Sequence, residues 1–269
     1  AALFACYSAV IAMHPFHAQA FVSQWERNTI VGERLIYAAD PPSRIIVGSS
    51  IFLTMPQHEL GSDTYNLSFA GNGPLTGLAM IERLGLHPRE VIIESNTISP
   101  ANTELMNNFF SEPFFTLRRY LPAFRSEYRP INLMLNWNQF EAVTPPLNAP
   151  VIPERVDPYA RDQIRSANLK FFASPLSPAA AQKLQADLHR YVDGLVAAGV
   201  KVSFLAMPMD EAIANTGIFR STREAIRESF PEDRYEWVDV SPLGPFETRD
   251  GVHLVSHDAI RIARFLRQR

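Results

Sequence analysis

A single cysteine, Cys6, stands in 269 residues. That scarcity excludes both an internal disulfide and a metal centre built on cysteine pairs. It leaves the compartment open, because a chain of this length can bury enough core to do without cross-links. A basic face is lacking too: the formal net charge is -3 and no extended block of lysine and arginine occurs, which excludes a nucleic-acid footprint. Internal repeats and low-complexity tracts are missing. So are apolar runs of membrane-spanning length, since Leu3 to Met13 is too short to cross a bilayer by itself. What remains is an ordinary globular balance, 46% hydrophobic and 20% charged. It suits one large α/β domain or two small ones.

Residues 1–40 read as a segment apart. Leu3 to Met13 is almost wholly apolar and fits the remainder of an anchor helix, or of a signal peptide ending at Ala18-Gln19-Ala20. A retained anchor is the preferred reading, and a helix packed on the domain is the plain alternative. Phe21 to Ile36 reads as an amphipathic lead-in helix, stopped by Pro41-Pro42.

Residues 41–269 read as one domain. Arg44 to Val47, Tyr65 to Phe69 and Glu90 to Glu94 are short runs rich in β-branched or aromatic residues, each leading into a small polar loop. A helical tract, Leu75 to Leu84, separates the second from the third. This rhythm predicts an α/β fold with a parallel sheet and crossover helices. Between about 100 and 178 the rhythm breaks into an aromatic, Asn-rich and Pro-rich insertion of helical pieces and irregular loops, with Leu135 to Phe140 and Pro145-Pro146 in it. It resumes with a helix from Ala179 to Ala198 behind Ser177-Pro178, and a strand from Val200 to Ala206. Then come a helix from Thr222 to Phe230, a strand from Tyr235 to Val240 and a closing helix from Ser256 to Leu266.

Two polar islands carry the chemistry. Gly48-Ser49-Ser50 ends the first strand, and Asp250-Gly251-Val252-His253 precedes the closing helix. A serine is a weak nucleophile until a base takes its proton, so Ser50 needs an imidazole within hydrogen-bond reach. His253 can supply it, with Asp250 fixing its tautomer and favouring the imidazolium formed during attack. Ser49 is the rival by position, and the two serines could instead cap a helix. Asp250 could merely cap a turn, leaving His253 exposed. For the oxyanion, the backbone N–H groups of Ser50 and Gly71 and the side-chain amide of Asn96 follow strands at suitable places. Gly71 could equally be a turn glycine, and Asn96 could satisfy a loop. His253 and His257 share a helical spacing, but zinc lacks a third ligand nearby. His14, His17, His58, His87 and His189 have no clear partner. No cofactor and no metal is expected.

These blocks resemble those of the SGNH (GDSL-like) hydrolase superfamily, in particular its exported or membrane-anchored branch concerned with teichoic-acid D-alanylation and alginate acetylation. Gly48-Ser49-Ser50 is similar to the first block, whose last serine acts. Gly71 falls on the glycine of the second. Glu94-Ser95-Asn96 stands where the family has Gly-x-Asn, with Glu94 replacing the glycine. Asp250 to His253, followed by Leu254, falls on the final Asp-x-x-His. The resemblance covers about residues 43–99 and 200–269. It implies a flavodoxin-like three-layer α/β/α sandwich and serine-dependent acyl transfer or ester hydrolysis on a cell-envelope or exported polysaccharide, with an O-acetyl or similar small acyl group. It also implies a membrane-bound O-acyltransferase as partner, and a place in the periplasm or on the outer face of the cytoplasmic membrane, anchored through the N-terminus. Two other readings stand beside it: a non-catalytic polysaccharide-binding or scaffold subunit, and a cytoplasmic esterase.

Overall fold

The computed structural model describes residues 2–13, 21–136 and 156–269. In chain order the elements are α1 (Ala2–Met13), α2 (Gln24–Ile36), β1 (Arg44–Gly48), β2 (Thr64–Ser68), α3 (Pro74–Leu84) and β3 (Glu90–Glu94). Next come α4 (Thr103–Phe110), α5 (Phe114–Tyr120), α6 (Pro130–Leu135), α7 (Pro158–Phe171) and α8 (Pro178–Ala197). The chain closes with β4 (Lys201–Leu205), α9 (Glu211–Ala214), α10 (Gly217–Ser229), β5 (Glu236–Val238) and α11 (Ser256–Gln268). Short 3-10 turns join several of them.

The five strands form one parallel sheet in the order β2-β1-β3-β4-β5. Residues 45–47 of β1 and 91–93 of β3 are buried throughout, which is why both strands read as unbroken apolar runs. Alternate side chains serve opposite faces. Ile46, Ile92 and Leu205 share one core with Phe52, Met55 and the Ala259, Ile262 and Leu266 stripe of α11. Val47 faces the other way, onto α3. There Gly77 is required by close approach, since a Cβ would stand 2.7 Å from Val47 Cγ1. The α8 helix packs beside α3 and against β4. The result is a mixed α/β fold, a five-stranded parallel sheet with helices on both faces, consistent with a three-layer arrangement. The chain leaves β1 for β2 on one side and then crosses to β3 on the other. The C-terminal ends of β1 and β3 therefore flank the crevice where open α/β sheets place ligands.

By contact density the described residues fall into two compact units. Residues 41–101 and 156–269 carry the sheet, while 2–13, 21–40 and 102–136 form the other. In the smaller unit α2 starts at Gln24 because Ser23 caps it and Glu26 reaches back past the cap. The Ser23 hydroxyl accepts the Glu26 N–H at 3.1 Å, and the Glu26 carboxylate accepts the Val22 N–H at 2.8 Å. Gly32 lies directly under the Phe109 ring. Glu33 accepts the Ser126 N–H at 2.6 Å and pairs with Arg118 at 3.2 Å. Burial pushes the Glu33 carboxyl up, against the pull of Ser126 and Arg118.

The anchor expectation is corrected here. The α1 helix has 12 residues, roughly 18 Å against a hydrocarbon core of about 30 Å. Among the described residues no helix is long and apolar enough to cross a membrane. Within its own unit α1 packs Phe4 against Phe124 at 5.2 Å between ring centroids, and Tyr7 donates to the Tyr128 carbonyl. The expected anchoring through the N-terminus, and the membrane-bound partner and envelope placement expected alongside it, have no membrane-crossing helix to rest on among the described residues. Ala18-Gln19-Ala20, Trp137 to Phe140 and Pro145-Pro146 lie outside the described residues.

Candidate active site

Past Gly48 the chain leaves the sheet through Ser49, Ser50 and Ile51 into a 3-10 turn at Phe52–Thr54. Close approach dictates the glycine: a Cβ at position 48 would stand 2.5 Å from Glu94 Oε2 and 2.9 Å from Phe52 Cγ. The two serines then part. Ser49 is buried, and its hydroxyl lies 2.8 and 2.9 Å from the two Glu94 oxygens, while its N–H donates to Oε2 at 2.6 Å. The Ser49 hydroxyl in turn accepts the Ile51 N–H at 3.2 Å. Ser50 is half-buried, and its Oγ stands 2.9 Å from His253 Nε2, across 203 positions of sequence.

The loop that presents His253 is an Asx turn. Asp250 Oδ1 accepts the N–H groups of Val252 at 2.9 Å and His253 at 2.7 Å, while Oδ2 lies 2.6 Å from His253 Nδ1. Gly251 has φ 88°, a conformation that favours glycine, and a Cβ there would stand 2.5 Å from Ile213 Cδ1. The loop is pinned from below. The Asp210 N–H donates to the Gly251 carbonyl at 2.9 Å, and Asn168 of α7 donates to the Asp250 carbonyl at 3.0 Å. Asp210 itself is clamped by Nε and Nη2 of Arg165, each at 2.9 Å. Neither Asn168 nor Arg165 was among the expected site residues; α7 lies in the stretch without a readable period.

Electrostatics follow from these contacts. Burial opposes ionisation of Asp250, but hydrogen bonds from the His253 ring and from the N–H groups of His253 and Val252 outweigh it and hold the carboxyl below its usual range. With the ionised carboxylate holding a proton on Nδ1, the Nε2 lone pair is available to the Ser50 hydroxyl. Glu94 behaves in the opposite way. It is fully buried, and desolvation lifts its carboxyl to about 7 against the pull of Ser49, Thr97 and His253.

The three oxyanion candidates fare differently. The Ser50 N–H donates to no group among the described residues. Gly71 is exposed at φ 71° in the turn after β2. Asn96 is engaged elsewhere: its amide donates to the Met207 carbonyl at 2.9 Å and accepts the Met207 N–H at 2.7 Å, tying the end of β3 to that of β4. The fold thus brings Ser50, His253 and Asp250 into one hydrogen-bonded chain. Gly71 and Asn96 stand at the same sheet edge without a bond to that chain. His257 faces Asp258 at 3.3 Å, and among the described residues no group of three or more His, Cys, Asp or Glu is placed to hold a metal ion. A cleft of about 220 Å³ opens beside Asn96, lined by Ser95, Met207, Met209, Phe219 and Arg223. A larger one, about 530 Å³, lies farther along the edge at Trp237, Asp239 and Phe246. None of the three chain residues lines either cleft. No protein-family model matches this sequence, and no curated protein matches it either.

Proposed function

We propose that this protein is a serine enzyme of acyl transfer, which moves a small acyl group from an ester through a covalent ester on Ser50. The observation that carries the reading is the unbroken chain from Ser50 Oγ to His253 Nε2 at 2.9 Å and from His253 Nδ1 to Asp250 at 2.6 Å. That is the order of contacts in which a serine, its base and the carboxylate that orients the base act together.

The steps follow from the contacts. Ser50 Oγ attacks the ester carbonyl as its proton passes to His253 Nε2, and Asp250 stabilises the imidazolium. The charge on the carbonyl oxygen falls toward the unallocated Ser50 N–H, with Gly71 as the second proposed donor. The C–O bond to the leaving alcohol breaks as Nε2 returns the proton to that oxygen. A water or a sugar hydroxyl then gives its proton to Nε2 and attacks acyl-Ser50, releasing acid or new ester and restoring the serine. Asn96 was expected as a third donor. One N–H of its amide goes to the Met207 carbonyl, holding two strand ends together, and the second N–H is the proposed donor.

We further propose membership of the SGNH (GDSL-like) hydrolases and a flavodoxin-like reading of the sheet. The strand order supports the second. The order of the four blocks along the chain supports the first. A polysaccharide ester as substrate class rests on that resemblance alone. The non-catalytic reading required Ser50 and His253 to lie beyond proton-transfer reach, and their 2.9 Å separation counts against it. Incubation with p-nitrophenyl acetate followed by intact-mass measurement tests the proposal. One acetyl adduct is expected on the parent and none on Ser50→Ala. An undiminished adduct on Ser50→Ala would remove Ser50 as nucleophile.

A further inference from the structure

We infer that Glu94 is a positioning residue of the Ser50 centre, a buried carboxylate that fixes the nucleophile turn through Ser49 and adds a second negative charge to the surroundings of His253. The inference rests on the acyl-transfer reading above and deepens it.

Glu94 is wholly buried at the end of a central strand, where a carboxylate is costly unless hydrogen-bonded or paired. Its partners are all donors: the Ser49 N–H at 2.6 Å, the Ser49 hydroxyl at 2.8 Å and the Thr97 hydroxyl at 3.1 Å. The Ser49 oxygen in turn accepts the Ile51 N–H at 3.2 Å, and its hydroxyl proton is free to go to the ionised Glu94. The residues on both sides of Ser50 are therefore tied, directly or through one hydroxyl, to a single carboxylate. That arrangement consumes the N–H groups of Ser49 and Ile51 and leaves the Ser50 N–H unallocated, as an oxyanion donor must be. Gly48 permits it by having no Cβ to strike Glu94.

A glutamine would fill the same volume but match these partners poorly. Its amide oxygen can keep the Ser49 N–H, but its nitrogen can only donate, so the Ser49 and Thr97 hydroxyls would have to turn from donors into acceptors. Charge matters as well as fit. His253 is the titratable side chain whose charge acts on Glu94; Ser49 and Thr97, the other groups acting on it, are neutral hydroxyls. When His253 takes the Ser50 proton, ionised Glu94 joins Asp250 in stabilising the new positive charge. Burial places the Glu94 ionisation near neutral pH, so the rate should climb with pH as Glu94 gains its charge.

The test is the rate of Ser50 acetylation by p-nitrophenyl acetate over about pH 5 to 9, for the parent, Glu94→Gln, Ser49→Ala and Ser50→Ala, with the folded fraction of each measured by thermal melting. For folded Glu94→Gln we expect kcat roughly tenfold lower, KM within about twofold, and a shallower rise through neutral pH than the parent's. Ser49→Ala removes one link of the same chain with little change in packing, so kcat should fall several-fold even if the glutamine variant does not fold. Parental kcat and pH profile in folded Glu94→Gln would overturn the inference, as would parental kcat in Ser49→Ala, or a loss fully explained by the unfolded fraction. An adduct persisting on Ser50→Ala, or none on the parent, would instead overturn the acyl-transfer reading and this inference with it.

Discussion

The closing loop and the end of β3 each aim a carboxylate at the Ser50 centre, and the two environments drive those carboxylates apart. Asp250 keeps 15% of its side chain exposed, sits across from an imidazole and stays ionised. Glu94 has no exposure, is hydrogen-bonded only by Ser49 and Thr97 among the described residues, and has a carboxyl lifted to about 7. Both accept backbone N–H groups, so hydrogen bonding alone does not separate them. The separation comes from desolvation, which three neutral donors offset only partly at Glu94. On the proposed acyl-transfer reading, such diverging proton affinities divide the labour: Asp250 orients the base, and Glu94 shapes the turn that carries the nucleophile.

The comparison can be broken most sharply at Asp250. Asp250→Asn keeps the shape of the loop but no longer holds the Nδ1 proton in place, so Nε2 tends to carry the proton instead. The acylation rate should fall by about a thousandfold or more, far beyond the roughly tenfold loss expected for Glu94→Gln. Equal losses in steady-state kinetics of the two variants would erase the distinction.

A smaller effect sharpens it from the side of stability. The folded chain holds the Glu94 proton up to about pH 7, whereas the unfolded chain releases it near 4.5. The contribution of Glu94 is therefore fully present below the unfolded value and declines as pH rises between the two, by about 3 kcal/mol. Asp250, held low, works in the other sense: its contribution is present above its ordinary value and disappears as pH falls through the folded one. Urea unfolding near pH 5 and near pH 8 should show Glu94→Gln gaining on the parent as pH rises. Parallel pH dependence in the two proteins would contradict the placement of a titrating carboxyl in the core.

Much of the sheet was legible because buried parallel strands must be apolar and β-branched: Glu90 to Glu94 is the strand as read. Strand β5 is shorter than its apolar run, since only Glu236 to Val238 find partners along β4. The α10 helix begins at Gly217 rather than Thr222. A glycine there suggests a break, yet the Ala173 carbonyl lies so close that no Cβ would fit. The Asp250–His253 turn was readable because turn chemistry is local, whereas the meeting of Ser50 with His253 spans 203 positions and only the fold shows it. Asn168, Arg165 and Asp210 were not readable, because what they support is assembled from distant elements. Glu94 did leave a signal, a carboxylate at the end of a run that had to be buried, but only its contact with Ser49 shows what that charge does. The pairing of the Asn96 amide with Met207 was hidden for the same reason, since nothing in the sequence announces it.

The most direct test of the central claim is labelling with a fluorophosphonate that reacts with activated serines, followed by peptide mapping of the modified site. The account predicts label on Ser50 in the parent and its loss in His253→Ala. Label on Ser49 in place of Ser50, or undiminished label in His253→Ala, would contradict it.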